Sequence, residues 1–162
     1  MANRIDVTLG RLRSLKQPAL APFVTIGFPD VEASRALAME VLASGGDMLE
    51  LGIPFSDPLA EGPTIQMTSY RALQNGVTLD TVLDVVTRLR ASQPEAPLIL
   101  MGYYNPFLQF GVERFVQRAR DVGADGVIVP DLPLEESGES GESGGFNDTC
   151  EGYGVHLIPM LA

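Results

Sequence analysis

Residues 48–66, MLELGIPFSDPLAEGPTIQ, decide how this chain folds. Met48 to Pro54 is an apolar run without polar alternation, the pattern of a strand covered on both faces, as in a parallel sheet. Ser56-Asp57-Pro58 has turn chemistry. Gly62-Pro63 then sets the first turn of a helix. A buried strand passing through a short loop into a helix is half of a βαβ unit. Yet the run carries a carboxylate, Glu50, at its centre, and a second, Glu61, stands just before the helix.

The same organisation recurs on both sides. Unalternated apolar runs lie at PFVTIGF (22–28), PLILMGYY (97–104), GVIVPD (126–131) and GVHLIPML (154–161). Between them the apolar spacing becomes helical. Leu79, Val82, Leu83, Val86 and Leu89 follow i, i+3, i+4, i+7, with Thr78 as N-cap. Val112, Phe115, Val116, Ala119 and Val122 repeat that scheme. Residues 31–44 form a weaker version, opened by Asp30 and stopped by Gly45-Gly46, and the helix begun by Pro63 ends near Asn75-Gly76. Strands alternating with helices predict a parallel sheet, either open and doubly wound or closed as a (β/α)8 barrel. Polar or special residues at the strand ends (Gly27, Pro54, Tyr103, Asp131) suit a site built on the C-terminal rim. Neither G-x-G-x-x-G nor a Walker loop occurs, which lowers the standing of nucleotide-binding sheets.

One segment breaks the rhythm. EESGESGESGG, 135–145, has no apolar residue to bury, so its composition predicts a flexible, solvated insert where a helix belongs, leaving Phe146 to Tyr153 room for about a turn. The whole chain, 1–162, is read as a single domain. Its hydrophobic fraction of 45% and charged fraction of 20% are those of a soluble globular protein. The net charge of −10 argues against nucleic acid. Nearly all of that imbalance is local, because nine acids and no Lys or Arg follow Arg120. A single cysteine, Cys150, suits a reducing cytoplasm. No apolar run approaches the roughly 20 residues of a membrane span, and the start, MANRIDVTLGRLRSLKQ, is mixed and polar with no signal-peptide core.

Burying a lone carboxylate costs several kcal/mol unless it is paired or protonated, and desolvation moves its pKa toward neutrality. Those are the conditions of a general acid–base group, so Glu50 is the leading catalytic candidate, with a structural Glu bonded to loop amides as the alternative. Glu61 at a helix start is equally a dipole partner, and Asp57 a turn residue. Asn105-Pro106 is most simply a turn. His156, within an apolar strand, is expected to be a hydrogen-bonded core histidine. Cys150 is expected to be inert, and no His, Cys or Asp cluster has metal-ligand spacing.

LELGIPFSDPLAEGPTIQ (49–66) closely resembles the signature of the tryptophan synthase alpha chain family. PFVTIGFPD (22–30), LMGYYNPF (100–107) and GADGVIVPDLPLEE (123–136) are similar to further blocks of that family, in the same order. The resemblance covers most of residues 10–136 and resumes at 154–162. It implies a (β/α)8 TIM barrel, present here as an incomplete barrel of about five parallel strands, with the barrel's usual phosphate-binding loops absent. It also implies a lyase that cleaves indole-3-glycerol phosphate to indole and glyceraldehyde 3-phosphate, working in an alpha2-beta2 assembly. No cofactor belongs to the chain itself, since pyridoxal phosphate resides in the beta chain. By the same resemblance Glu50 is the catalytic acid–base, and Glu61 stands where the family usually has an aspartate that stabilises charge on the indole nitrogen. Phe23, Met101 and Ile128 match the indole pocket, with Tyr103 beside it, and Asp57 and Pro58 match the loop facing the beta chain. The alternative is a non-catalytic barrel fragment that assembles through its open edge.

Overall fold

The structure is a computed structural model that describes residues 2–132 and 145–160. Five short strands form one sheet: β1 (Phe23–Thr25), β2 (Leu49–Gly52), β3 (Leu98–Met101), β4 (Gly126–Ile128) and β5 (His156–Ile158). All neighbours are parallel, and their order in space is their order in sequence. A doubly wound sheet reverses its strand order at a switch point. This sheet does not, so the barrel alternative holds.

The register explains how the faces divide. Val24, Leu51, Leu100 and Val127 share one row, and Leu49 and Leu98 lie on the same face. These side chains pack into the main core with Val82, Leu83, Val86, Leu89, Phe115 and Val116 from the surrounding helices. The opposite face is concave and carries Met48, Ile99 and Ile128, against which Met101 and Ile158 pack. Helices therefore cover one face, as around a barrel wall.

Each helix has an identifiable local cause. α2 (Val31–Ala43) starts at Asp30, whose side chain accepts from the Ala33 N–H. α3 (Pro63–Gln74) places Pro63 in its first turn. α4 (Leu79–Ser92) opens with a reciprocal capping box between Thr78 and Thr81. α6 (Val112–Val122) turns its Phe115, Val116 and Ala119 inward and ends at Gly123 in the left-handed region. Phe115 stacks on Phe107 with ring centroids 4.0 Å apart. The last described helix, α7 (Phe146–Tyr153), buries Phe146 and Cys150 on one face. It is two turns long, longer than its composition predicts. The Glu-Ser-Gly insert lies almost wholly outside the described residues.

The sequence leaves one element unassigned, and two expectations need correction. The polar start forms α1 (Arg4–Leu15), whose narrow inward stripe is Ile5, Thr8 and Leu12. Asn3 caps it, and Ile5 plugs the N-terminal end of the concave face, where a Cβ on Gly126 would come within 2.9 Å of it. Of the two expectations, first, Asn105-Pro106 is no turn but part of α5 (Tyr104–Phe110). Proline is tolerated there because the first helical turn has no intrahelical use for its N–H. Second, His156 is only partly buried. Its Nε2 lies 2.9 Å from Asp6 Oδ2 on α1, so it is hydrogen-bonded but not a core residue.

A charged clasp ties these layers together. Asp125 is only 3% exposed, and its carboxylate accepts from Arg4 Nη1, Arg90 Nη2 and the Leu98 N–H at 2.8, 2.8 and 2.9 Å. Arg90 also donates to the Gly123 and Ala96 carbonyls. Removing one partner of a buried pair leaves the others charged and desolvated. Asp125→Ala should therefore lower the unfolding free energy by about 3–5 kcal/mol, read by urea denaturation. An Arg4→Ala variant should lose less, because that side chain is the more exposed of the two arginines.

Candidate functional site

Glu50 faces the concave side of the sheet. Leu49 and Leu51 point to the helices, so strand alternation leaves Glu50 and Gly52 on the other face. In register it lies between Phe23 of β1 and Ile99 of β3, with Met48 one step deeper. It is half-buried, and its carboxylate accepts no hydrogen bond among the described residues. Desolvation pushes its pKa above the ordinary carboxylate value. An apolar floor and no fixed partner suit a group that exchanges a proton.

Above that row a small cleft opens at the C-terminal rim. It is lined by Phe23, Thr25, Gly52, Ile53, Phe55, Pro58, Glu61, Ile65, Ser69, Met101, Gly102 and Tyr103, and encloses about 20 Å³, room for about one water molecule. Three residues expected at the binding pocket (Phe23, Met101 and Tyr103) and one expected in catalysis (Glu61) therefore meet. Gly52 is needed there, since a Cβ would lie 2.4 Å from the Phe23 ring. Ile128 shares the concave face and the Met101 row but does not line this cleft. Nor does Glu50, which sits one row deeper than Gly52.

Glu61 is held from β3. The Tyr103 hydroxyl donates to Glu61 Oε2 and accepts from the Ala60 N–H. Burial, helped by the Glu61 carboxylate, pushes the Tyr103 phenol up to about 12. Asp57 is exposed and accepts from the neighbouring Ser56 hydroxyl, while Pro58 lines the outer side of the cleft. Leu59 between them and Glu61 is 89% exposed.

Several residues of this rim escape a reading of the sequence. Ser69 on α3 braces Phe55 through both its backbone groups, at 2.8 and 3.0 Å. Thr25 bonds Thr68 across 2.9 Å inside the wall. Asp131, which the sequence does mark as a strand-end residue, accepts from the Tyr104 N–H and so anchors the start of α5. Gly52 carries the one signal sequence could have offered, a glycine inside a strand, which often marks close approach.

A larger concavity, about 1290 Å³, is at the opposite, N-terminal end, around Arg4, Arg90 and Asp125. Its inner charges are already paired in the clasp, which leaves the smaller cleft as the candidate site. Cys150 is fully buried, and burial pushes its thiol up to about 12, which makes it a poor nucleophile. Among the described residues no group of three His, Cys, Asp or Glu side chains could hold a metal ion, and no helix is long and apolar enough to cross a membrane.

Comparison with known proteins agrees with this geometry. The sequence profile described as tryptophan synthase alpha chain matches residues 9–162. The tryptophan synthase alpha chain of Chloroflexus aggregans is 52% identical over 137 residues, covering 85% of this chain and 51% of the relative. That of Geotalea uraniireducens is 50% identical over 159 residues, covering 98% and 57%. The crystal structure of tryptophan synthase subunit alpha from Legionella pneumophila superposes with a TM-score of 0.91 at 43% identity, covering 97% of this chain and 58% of that one. The chain thus spans just over half the length of the relatives it matches. With its five-stranded piece of barrel wall and the matching profile, it belongs to the tryptophan synthase alpha chain family.

Proposed function

We propose that the chain carries the lyase chemistry of its family, the retro-aldol cleavage of indole-3-glycerol phosphate to indole and glyceraldehyde 3-phosphate in tryptophan biosynthesis. The observation that carries this reading is Glu50, a partly desolvated carboxylate without a hydrogen-bond partner among the described residues, on an apolar concave face just below a cleft that holds a second carboxylate. Protonated Glu50 would deliver a proton to the indole carbon bearing the side chain. Ionised Glu50 would take the proton of the glycerol hydroxyl as the carbon–carbon bond breaks. Glu61 would accept the indole N–H and stabilise the positive charge that develops there. Phe23, Met101 and Ile128 would supply the apolar walls. The chain's own contribution is acid–base catalysis, with pyridoxal phosphate belonging to a beta-chain partner, and the loop bearing Asp57, Pro58 and exposed Leu59 would face that partner in an alpha2-beta2 assembly in the cytoplasm.

A second reading, a non-catalytic barrel piece assembling through a strand edge, draws on the half-buried Leu157 and Ile158 of β5. A sedimentation coefficient that rises with concentration, without cleavage when the beta chain is present, would favour it.

The test of the lyase reading is Glu50→Gln, assayed for indole release from indole-3-glycerol phosphate with the beta chain present. Loss of general acid–base catalysis should lower the rate by about 10²–10⁴-fold with the fold retained. Activity that survives the substitution removes Glu50 from the mechanism.

The same variant has a stability signature. Because the folded state raises the Glu50 pKa, it binds more protons than the unfolded state just above the ordinary carboxylate value of 4.5. Stability then falls as pH rises through that window. Glu50→Gln removes the loss, so its melting temperature should exceed the parent's at pH 7, and the advantage should shrink toward pH 4. A constant difference across the range would mean that burial does not act on this carboxyl.

A further inference from the structure

Tyr103 stands at the C-terminal end of β3 with only 4% of its surface exposed. Its ring stacks on Phe55, centroids 5.0 Å apart and planes 26° apart. Phe55 is itself fixed by Ser69, so the ring lies against a braced surface. From there the hydroxyl reaches the far end of the loop between β2 and α3, donating to Glu61 Oε2 and accepting from the Ala60 N–H 2.9 Å away. Most of that loop has no comparable support. Ser56, Asp57, Leu59 and Ala60 are exposed, and the other described bond to Glu61 is from Gln66 to its backbone carbonyl.

The consequence concerns the two oxygens of one carboxylate. Oε2 is engaged by Tyr103, whereas Oε1 accepts no hydrogen bond among the described residues. A glutamate has one more rotatable bond than an aspartate, and an untethered one loses more freedom when it must hold a single geometry. A hydrogen bond from a rigid, stacked phenol removes that freedom in advance. Burial and the Glu61 bond keep the phenol protonated up to about pH 12, so the donor persists at any working pH.

Resting on the reading of Glu61 given above, we infer that Tyr103 is a positioning residue: by holding Oε2 it leaves Oε1 as the acceptor for a ligand's indole N–H in the cleft between Phe23 and Met101. Tyr103 thus sets specificity for a ring that can donate, acting through Glu61 without contacting the ring nitrogen itself.

The chain contains no tryptophan, so the fluorescence of an added indole is readable without tryptophan background from the protein. Binding of indole and of 1-methylindole, which has the same ring system but no N–H, is measured on the full chain, on Tyr103→Phe, on Glu61→Met and on the double variant. The parent should prefer indole by about tenfold, the scale of one hydrogen bond to a charged group. Each single variant should bring the two ligands to nearly equal affinity, with 1-methylindole binding changed by less than about twofold, and the double variant should lose nothing more. Phenylalanine retains the ring and its stacking on Phe55, so damage to packing alone would weaken both ligands together. The inference is overturned if Tyr103→Phe keeps the preference, if it weakens both ligands equally, if Glu61→Met keeps the preference, or if the full chain binds neither ligand. Failure of the lyase reading is seen separately, in cleavage that does not depend on Glu50.

Discussion

A parallel strand covered on both faces must choose, residue by residue, which side each group goes to, and β2 makes that choice in four residues. Leu49 and Leu51 enter the helix-covered core, so Glu50 and Gly52 are committed to the concave face. A slip of one residue would send the carboxylate into a packed hydrophobic layer, at a cost of several kcal/mol, and would move two leucines out of it. The register with β1 and β3 is therefore held by hydrophobic burial, and the position of the acid is a by-product of that burial. The bare backbone at Gly52 lets the ring of Phe23, which is paired with Glu50, settle against it. In this sense the core and the site are two sides of the same strand.

The two ends of the sheet are organised differently. At the N-terminal end, Asp125 gathers Arg4, Arg90 and a strand amide, and α1 closes the interior with Ile5. These charges are mutually satisfied, and they join α1, the end of α4, the start of β3 and the residue before β4. At the C-terminal end the polar groups are shared between loops and leave capacity over: among the described residues Glu50 has no hydrogen-bond partner, and the Glu61 carboxylate is bonded through one oxygen. A barrel keeps stability at one rim and chemistry at the other, and the pattern of satisfied and unsatisfied polar groups follows that division.

The sequence makes the strands legible because each is a continuous apolar run bounded by Gly, Pro or Asp, and it makes α4 and α6 legible because their apolar stripes are wide. It hides α1, whose stripe of Ile5, Thr8 and Leu12 is thin and interrupted by a threonine. It also hides α5, because Asn-Pro has the chemistry of a turn as well as of a first helical turn. The core location assigned to His156 failed for a related reason: a three-residue strand near an edge does not bury every side chain its hydropathy suggests. In the site, Glu50 could be singled out locally as a charge inside an apolar run. The Tyr103–Glu61 contact and the Asp125 clasp join residues 42 and 121 positions apart, and spacing along a chain carries no trace of them.

Gly52 has one more effect, on how the cleft admits anything. The enclosed space holds about one water, so any larger guest must displace a wall. Tyr103 is a costly wall to move, since it would surrender two hydrogen bonds and a stacked ring. Phe23 leans on a residue with no side chain and has less to give up. Of these two aromatic walls, Phe23 is therefore the one that rests on bare backbone, with no hydrogen bond of its own ring to break.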